Sequence, residues 1–348
     1  MEKRPIGNSD LEASVFGLGT MTFGAESDET SSHAMLDRYV EAGGNLIDTA
    51  DVYSQGISEE ITGSWLRRSG HRNDVLIATK ARFQMDNVGS GASRDYLRLA
   101  VEASLGRLGV DVIDLYQMHS WDPATPLEET LGALNEFVDS GKIRAIGVSN
   151  YTGWQLERAV MMSRGKSWAP VVSLQPQYSL LSREIEHELL PVCIEEDLSV
   201  LPWSPLGGGW LSGKYSAAHR PSGETRLGED PNRGVEAYDR RNTDRTWEIL
   251  AVVEAIATTH DVPMSQVALN WVRSRPAVTS VLLGCRNVTQ LDDNLSALSW
   301  DLNDEETANL SQASAPGIPI YPHGFMESYA GFDMWANLGT RTEAPLIG

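Results

Sequence analysis

The chain has 348 residues, 41% of them hydrophobic, and a formal net charge of −20. A surface this acidic repels phosphates and anionic lipid, so the charge argues against nucleic acid and membranes as partners. The two cysteines, Cys193 and Cys285, suggest neither a disulfide framework nor a cysteine-based metal site. The sequence shows no signal-peptide pattern and no apolar stretch of membrane-spanning length, so a cytoplasmic protein is expected.

A glycine turn near the amino terminus opens the predicted structure. Gly7-Asn8 lies between two short segments and predicts a hairpin within residues 1–14. This hairpin precedes the regular part of the chain.

Short apolar runs and segments with helical spacing then alternate along the chain. Ser93 is expected to cap the start of one helix, and Gly109 and Gly141 are expected to follow the ends of two. Eight strand-helix units predict a single (β/α)₈ barrel domain over residues 1–348, since closure leaves no sheet edge exposed. The runs are at 15–18, 45–47, 75–78, 112–116, 143–148, 171–174, 198–201 and 278–283.

An open, doubly wound sheet is the alternative architecture. Its sequence signature is a G-x-G-x-x-G turn after the first strand, with an acidic residue at a ribose-binding position on the second strand. Here Gly17 and Gly19 are followed by Gly24, so the third glycine is misplaced, and no Asp or Glu follows at a ribose-binding position on a second strand. The pattern therefore favours the barrel.

Two segments depart from the alternation. The loop 207–241 follows the seventh run, which places it on the catalytic face of a barrel and favours a lid over a disordered segment. The tail 316–348 is too aromatic for a solvated end and is predicted to pack back on the barrel. Its large apolar residues are Tyr321, Phe325, Met326, Tyr329, Phe332, Met334 and Trp335.

Four residues that can transfer a proton follow the second, third and fourth runs: Asp48, Tyr53, Lys80 and His119. The carboxyl ends of parallel strands form one face of a barrel, so these side chains should meet. A lysine ammonium lowers the pKa of a nearby phenol, a carboxylate keeps that lysine charged, and an imidazole can donate to a carbonyl oxygen. Such a set supplies no electrons, so it requires a hydride donor such as a reduced nicotinamide.

Each of these residues also has a purely structural alternative. Asp48 could cap a helix, Lys80 could be a surface lysine, and His119 could be a core histidine. Their joint occurrence at consecutive strand ends favours the catalytic interpretation.

The same segments resemble those of the aldo-keto reductases from residue 4 to about residue 294. Asn-Leu-Ile-Asp-Thr-Ala-Asp-Val-Tyr at 45–53, with Glu59 shortly after, is similar to the family's second-strand signature. Ile-Ala-Thr-Lys at 77–80 and Leu-Tyr-Gln-Met-His at 115–119 are similar to its next two strands. The resemblance implies an NAD(P)H-dependent alcohol:NADP⁺ oxidoreductase in which Asp48, Tyr53, Lys80 and His119 form the catalytic tetrad.

Residues 203–206 and 211–215 also resemble the potassium-channel β-subunits, a branch of the same fold. Those subunits carry another side chain at the fourth catalytic place, so His119 favours an enzyme. A histidine there also favours carbonyl reduction over the steroid double-bond reduction found where the family has glutamate.

The resemblance further implies a cofactor site. Ser149, Asn150 and Gln175 match residues that bind the nicotinamide carboxamide, and Trp203 matches an aromatic position beneath the ring. Arg286 matches a residue that binds the adenosine 2′-phosphate, so NADPH is expected. Departures within the remaining set leave NADH open; that set is Thr20, Met21, Ser204, Pro205, Leu206, Gly208, Lys214, Gly284, Gln290, Asp293 and Asn294.

The substrate is expected to be a small carbonyl compound, and aldehydes, ketones, quinones, keto-sugars and xenobiotics all stay open. No metal site and no interface stripe is predicted. Two other classes also stay open: an NADPH-binding redox-sensing or regulatory subunit with slow turnover, and a barrel hydrolase or lyase. Candidate walls of the substrate pocket are Phe23, Phe83, Trp121, Tyr151 and Trp210.

Overall fold

A computed structural model describes residues 1–86, 88–223, 225–330 and 346–347. The strands in it are β1 (Lys3–Pro5), β2 (Glu12–Ser14), β3 (Phe16–Gly19), β4 (Leu46–Asp48), β5 (Leu76–Ala81), β6 (Ile113–Met118), β7 (Ile143–Ser149), β8 (Val171–Gln175), β9 (Ser199–Val200), β10 (Val281–Gly284), β11 (Ile318–Pro319) and β12 (Leu346–Ile347).

Helices alternate with the strands of the central sheet. They are α1 (Glu29–Glu41), α2 (Ile57–Ser69), α3 (Arg94–Leu108), α4 (Leu127–Asp139), α5 (Gly153–Lys166), α6 (Leu189–Glu195), α7 (Arg226–Glu229), α8 (Tyr238–Arg241), α9 (Asp244–His260), α10 (Met264–Arg273), α11 (Val288–Leu295), α12 (Asp304–Ala313) and α13 (Phe325–Ala330). Within the described part of the chain, none of these helices combines the length and the apolar character that crossing a bilayer requires.

The central sheet is parallel and has eight strands in the order β10-β3-β4-β5-β6-β7-β8-β9. It closes on itself next to β9, where Val200 pairs in parallel with Val278. The Val200 amide donates to the Ala277 carbonyl at 2.8 Å, and Thr279 donates back to the Val200 carbonyl at 3.0 Å. The predicted (β/α)₈ barrel is therefore confirmed.

The predicted hairpin is also confirmed. β1 and β2 pair antiparallel, from Lys3 opposite Ser14 to Pro5 opposite Glu12. Gly7 turns the chain with φ of +48°, and a Cβ there would lie 2.3 Å from the Val172 carbonyl oxygen, so only glycine fits. Its amide donates to Ser199 Oγ at 2.7 Å, which ties the hairpin to the start of β9.

Helix α3 shows how local signals set the element boundaries. The Ser93 side chain accepts from the Tyr96 amide, and Gly109 ends the helix in a left-handed conformation, as predicted. Gly141, with φ of +73°, likewise follows the end of α4. The buried face of α3 consists of Tyr96, Leu97, Ala100, Val101, Ser104, Leu105 and Leu108.

Contacts divide the chain into two compact units. The first, Met1–Pro176, Val192–Leu201 and Ala277–Asp292, contains all eight barrel strands and helices α1 to α5. The second contains the described residues of 177–191, 202–276 and 293–348. The single-domain assignment made from the sequence stays a prediction.

The two irregular segments belong to the second unit. The loop 207–241 folds into a 3₁₀ turn at Gly207–Ser212, helix α7, a second turn at Gly234–Glu236 and helix α8. In the tail, Tyr321 and Tyr329 are 77% and 80% exposed. Phe332, Met334 and Trp335 lie outside the described residues, so the packing of the tail stays a prediction.

Candidate active site

The four proton-transfer residues lie together at the carboxyl ends of the barrel strands. Asp48 is the last residue of β4, Lys80 lies near the end of β5, and His119 directly follows β6. Tyr53 begins a 3₁₀ turn five residues after Asp48. The barrel therefore brings the sequence-predicted set to one rim.

Lys80 is the centre of this set. Its side chain is fully buried, and Nζ donates to Asp48 Oδ1 at 2.6 Å, to the Thr49 carbonyl at 2.8 Å and to the Tyr53 hydroxyl at 3.4 Å. Burial acts to lower the pKa of Lys80, but the Asp48 carboxylate and the Tyr53 oxygen outweigh it, so the pKa is raised above its ordinary value. The ammonium therefore stays charged beside the phenol.

A strained turn places Tyr53. The following residues Ser54 and Gln55 adopt left-handed conformations, with φ of 49° and 54°, which non-glycine residues seldom do. Ser54 Oγ donates to the Phe23 carbonyl at 3.0 Å and helps to hold the turn. Strain of this kind is common where a side chain must be held in a functional position.

His119 is buried and electrically neutral. Burial, followed by the nearby Lys80 charge, lowers its pKa well below the ordinary value of 6.5. Its ring lies edge-on to Tyr53, with 5.9 Å between ring centroids, and 4.6 Å from the ring of Phe83. Nδ1 is buried without a hydrogen-bond partner among the described residues, which leaves Nε2 as the ring atom able to serve a ligand.

Polar side chains at the ends of β3, β7 and β8 complete the rim. Ser149 Oγ donates to the Gln175 carbonyl at 2.7 Å, and Asn150 Nδ2 donates to the His119 carbonyl at 2.9 Å. Gln175 Nε2 donates to Asp48 Oδ2 at 2.8 Å. Thr20 Oγ1 donates to the Asp48 carbonyl at 3.1 Å, and Met21 beside it is 39% exposed.

A second buried group of titratable residues lies beside the tetrad. The Asp51 amide donates to the Lys80 carbonyl at 3.1 Å. Burial, and then the nearby Glu59 carboxylate, raises the pKa of Asp51 to about 7. Glu59 itself is paired with Arg107 at 2.6 Å and accepts from Thr79 at 2.6 Å. Asp51 is thus a buried carboxyl whose ionisation opposes folding.

This arrangement predicts a pH-dependent effect of Asp51→Asn on stability. Because the folded pKa of Asp51 lies above its unfolded value near 3.9, its stabilising contribution is complete below that value and is lost as pH rises to about 7. As pH rises from 4 to 8, we expect the free energy of unfolding of the variant to increase relative to that of the wild type by up to about 4 kcal/mol. Urea denaturation across this range measures the difference, and a constant difference would contradict the assignment.

Aromatic side chains flank the rim on the side of β5 to β7. The ring of Trp121 lies 5.3 Å from that of Tyr151 and 5.3 Å from that of Trp154. Phe83 is half-buried and packs on His119. By contrast, Phe23 is fully buried, so its assignment as a pocket wall stays a prediction without a contact in its favour.

Residues assigned to the adenosine end lie after β10. Arg286 Nη2 is 3.6 Å from Glu26 Oε1, and Ser27 Oγ donates to the Arg286 carbonyl at 2.9 Å. The Arg286 amide donates to Gln290 Oε1 at 3.0 Å. Gly284 is exposed, and a Cβ there would meet no atom within 4 Å.

The remaining assigned residues belong to the second unit. Trp203 pairs with Gln177, and Ser204 Oγ accepts from the Gly208 amide at 3.2 Å. Trp210 is fully buried among Tyr215, Tyr238 and Trp247, which is ordinary core packing. Of the other residues, Pro205 and Asn294 are buried, Leu206 is half-buried, and Lys214 and Asp293 are exposed.

The sequence interpretation missed three residues of this site: Gln117, Trp154 and Glu26. Gln117 Nε2 donates to Asp48 Oδ2 at 3.2 Å. Gln117 lies on β6 two residues before His119, which directly follows that strand, and this spacing was a usable signal because alternate residues of a strand face the same side. Glu26 and Trp154 reach the site through loop and helix-start conformations that no spacing rule predicts.

A parallel (β/α)₈ barrel with these four residues at its rim is typical of one class of oxidoreductases. The model of the Aldo/keto reductase family matches residues 15–315. The chain belongs to the aldo/keto reductase family, whose members use nicotinamide cofactors.

Individual relatives agree with this assignment. The chain is 35% identical over 340 residues to Protein tas of Escherichia coli (strain K12), covering 89% of this chain and 96% of that protein. It is 30% identical over 319 residues to Aldo-keto reductase yakc [NADP(+)] of Schizosaccharomyces pombe (strain 972 / ATCC 24843), covering 89% and 90%. It is 31% identical over 343 residues to Versiconal hemiacetal acetate reductase of Aspergillus parasiticus, covering 91% and 98%.

Proposed function

We propose that this protein reduces the carbonyl group of an aldehyde or ketone with NADPH and that Tyr53 is the proton donor. The observation that carries the proposal is the 2.6 Å and 3.4 Å contacts of the buried Lys80 ammonium with Asp48 and with the Tyr53 hydroxyl. A phenol held beside a permanent positive charge is equipped to release a proton to a neighbouring oxygen.

Each of the four side chains has a separate role in this reaction. His119, neutral because of its lowered pKa, donates from Nε2 to the carbonyl oxygen and orients the substrate. Tyr53 transfers its proton to that oxygen as negative charge develops there. Lys80 stabilises the phenolate left behind, and Asp48 holds Lys80 in place.

The polar groups at the ends of β7 and β8 suit a nicotinamide. Gln175 directs Nε2 to Asp48, which leaves Oε1 to accept from a primary carboxamide, and Ser149 and Asn150 lie next to it. A reduced nicotinamide bound there supplies the hydride for the carbonyl carbon. Support for NADPH comes from Arg286 and from the relative whose name contains NADP(+).

The aromatic walls favour a substrate with an apolar or aromatic body. Phe83 packs on His119, and Trp121, which follows His119 by two residues, packs edge-on to Tyr151 and Trp154. Aromatic surfaces of this kind bind flat apolar groups through contact area. The reacting carbonyl would then lie between His119 and Tyr53.

Steady-state assays test the proposal. We expect aromatic and aliphatic aldehydes and ketones to cause oxidation of NADPH, followed as the loss of absorbance at the wavelength of the reduced nicotinamide, with formation of the alcohol. The absence of turnover across such a panel, despite NADPH binding, would instead support the redox-sensing alternative.

The proposed role of Arg286 predicts a change in cofactor preference. Arg286→Ala removes a guanidinium that can pair with the 2′-phosphate, so we expect the Kd for NADPH to rise roughly 10- to 100-fold while the Kd for NADH changes little. Glu26→Gln, which removes the carboxylate beside Arg286, should tighten NADPH binding instead. Fluorescence titration measures the Kd values for NADPH and NADH. An equal loss of affinity for the two cofactors in Arg286→Ala would refute the binding of the 2′-phosphate by Arg286.

A further inference from the structure

Gln117 takes part in a closed ring of hydrogen bonds beneath the rim. It is fully buried, and its Nε2 donates to Asp48 Oδ2 at 3.2 Å. Gln175 Nε2 donates to the same oxygen at 2.8 Å and to Gln117 Oε1 at 3.3 Å. Three side chains from β4, β6 and β8 therefore close one network.

The chemistry of these groups leaves one orientation for each amide. An ionised carboxylate only accepts hydrogen bonds, so both amides must turn an N–H group toward Asp48. Gln117 then presents Oε1 to Gln175 and accepts the second N–H of that amide. Both donors of Gln175 are consumed within the protein, and only its Oε1 is left for a ligand.

The sheet provides space for this arrangement. In the strand register Gln117 lies opposite Lys80 on one side and opposite Gly147 on the other. A Cβ at position 147 would lie 2.9 Å from Gln117 Cγ and 2.5 Å from Ser173 Oγ. The glycine therefore leaves room for the Gln117 side chain within the barrel.

We propose that Gln117 is a positioning residue that, together with Asp48, holds the amide of Gln175 in this orientation, so that Gln175 can only accept from a primary carboxamide. This rests on the proposed function, in which Gln175 binds the carboxamide of the nicotinamide. The consequence is that the carboxamide must turn its NH₂ group, and not its oxygen, toward Gln175. Gln117 thus helps to select one orientation of the carboxamide without touching the cofactor.

Cofactor analogues test the proposal. Gln117→Met removes the amide NH₂ group and the amide oxygen while keeping a side chain of similar length. We expect it to weaken binding of NADP⁺ roughly three- to tenfold, the effect of one hydrogen bond that is no longer held in place. Binding of the 3-acetylpyridine analogue of NADP⁺, in which a methyl group replaces the NH₂ group, should be unchanged. Tryptophan fluorescence quenching measures the four constants.

Ser173→Ala is the matched control. It removes one buried oxygen from the same row of the sheet, and Ser173 Oγ has no hydrogen-bond partner among the described residues. We expect this variant to bind NADP⁺ and the analogue as the wild type does.

Two outcomes would overturn the proposal. One is an equal loss of affinity for NADP⁺ and the analogue in Gln117→Met, which would indicate general damage to the site. The other outcome concerns the wild type alone: it would bind the analogue as tightly as it binds NADP⁺. The proposed function fails separately, if the wild type reduces no carbonyl compound, so the two failures can be told apart.

Discussion

Tyr53→Phe should abolish most carbonyl reduction while leaving NADPH binding near that of the wild type. The substitution removes only the hydroxyl oxygen, which lies 3.4 Å from the Lys80 ammonium. General acid catalysis by a positioned side chain contributes about 10²- to 10⁴-fold, so we expect kcat/KM to fall by that factor. Stopped-flow measurement of a single turnover with bound NADPH separates the chemical step from binding.

Tyr39→Phe is a suitable control for the loss of a phenol oxygen. The Tyr39 hydroxyl is fully buried and donates to the Phe16 carbonyl at 2.8 Å, so its role is structural. We expect its removal to cost about 1–3 kcal/mol of stability and to leave the single-turnover rate unchanged. Unaltered turnover in Tyr53→Phe would end the assignment of Tyr53 as the acid.

Lys80→Met should reduce both stability and activity. It leaves the Asp48 carboxylate buried without its countercharge, and breaking a buried ion pair in this way costs about 3–5 kcal/mol. Tyr53, the proposed proton donor, also loses the charge that would stabilise its phenolate. Urea denaturation and single-turnover rates measure the two effects.

The double variant Asp48→Asn/Lys80→Met separates the effect on stability from the effect on activity. Replacing both members of a buried pair with neutral groups is often close to neutral for folding, so we expect most of the lost stability to return. Activity should stay low, because no ammonium contacts Tyr53. Recovery of activity together with stability would show that Lys80 is only a structural residue.

The grouping of Asp48, Lys80 and His119 could be predicted because its geometry follows from the topology. A barrel places every strand's carboxyl end on one rim, so Asp48, Lys80 and His119 had to be near one another once the strands were recognised. The hairpin and the helix caps at Ser93 and Gly109 were predicted for a similar reason, since each depends on a local conformational preference.

Other parts of the site depend on contacts that local patterns do not encode. The left-handed conformations of Ser54 and Gln55 occur in residues that normally avoid them, so nothing in the sequence signals the turn that places Tyr53. Glu26 meets Arg286 across 260 residues of chain, through loops after two different strands. Asp51 belongs to the quoted signature, but its raised pKa arises from burial and from Glu59, which only coordinates reveal.

In the proposed reaction Tyr53 passes a proton to the carbonyl oxygen, and a bound reduced nicotinamide would supply hydride to the carbonyl carbon. A single turnover with NADPH deuterated at both C4 positions and an aromatic aldehyde tests this directly. We predict deuterium on the carbinol carbon of the alcohol and a slower turnover than with unlabelled NADPH. An alcohol without deuterium, or cofactor oxidation without an alcohol, would contradict it.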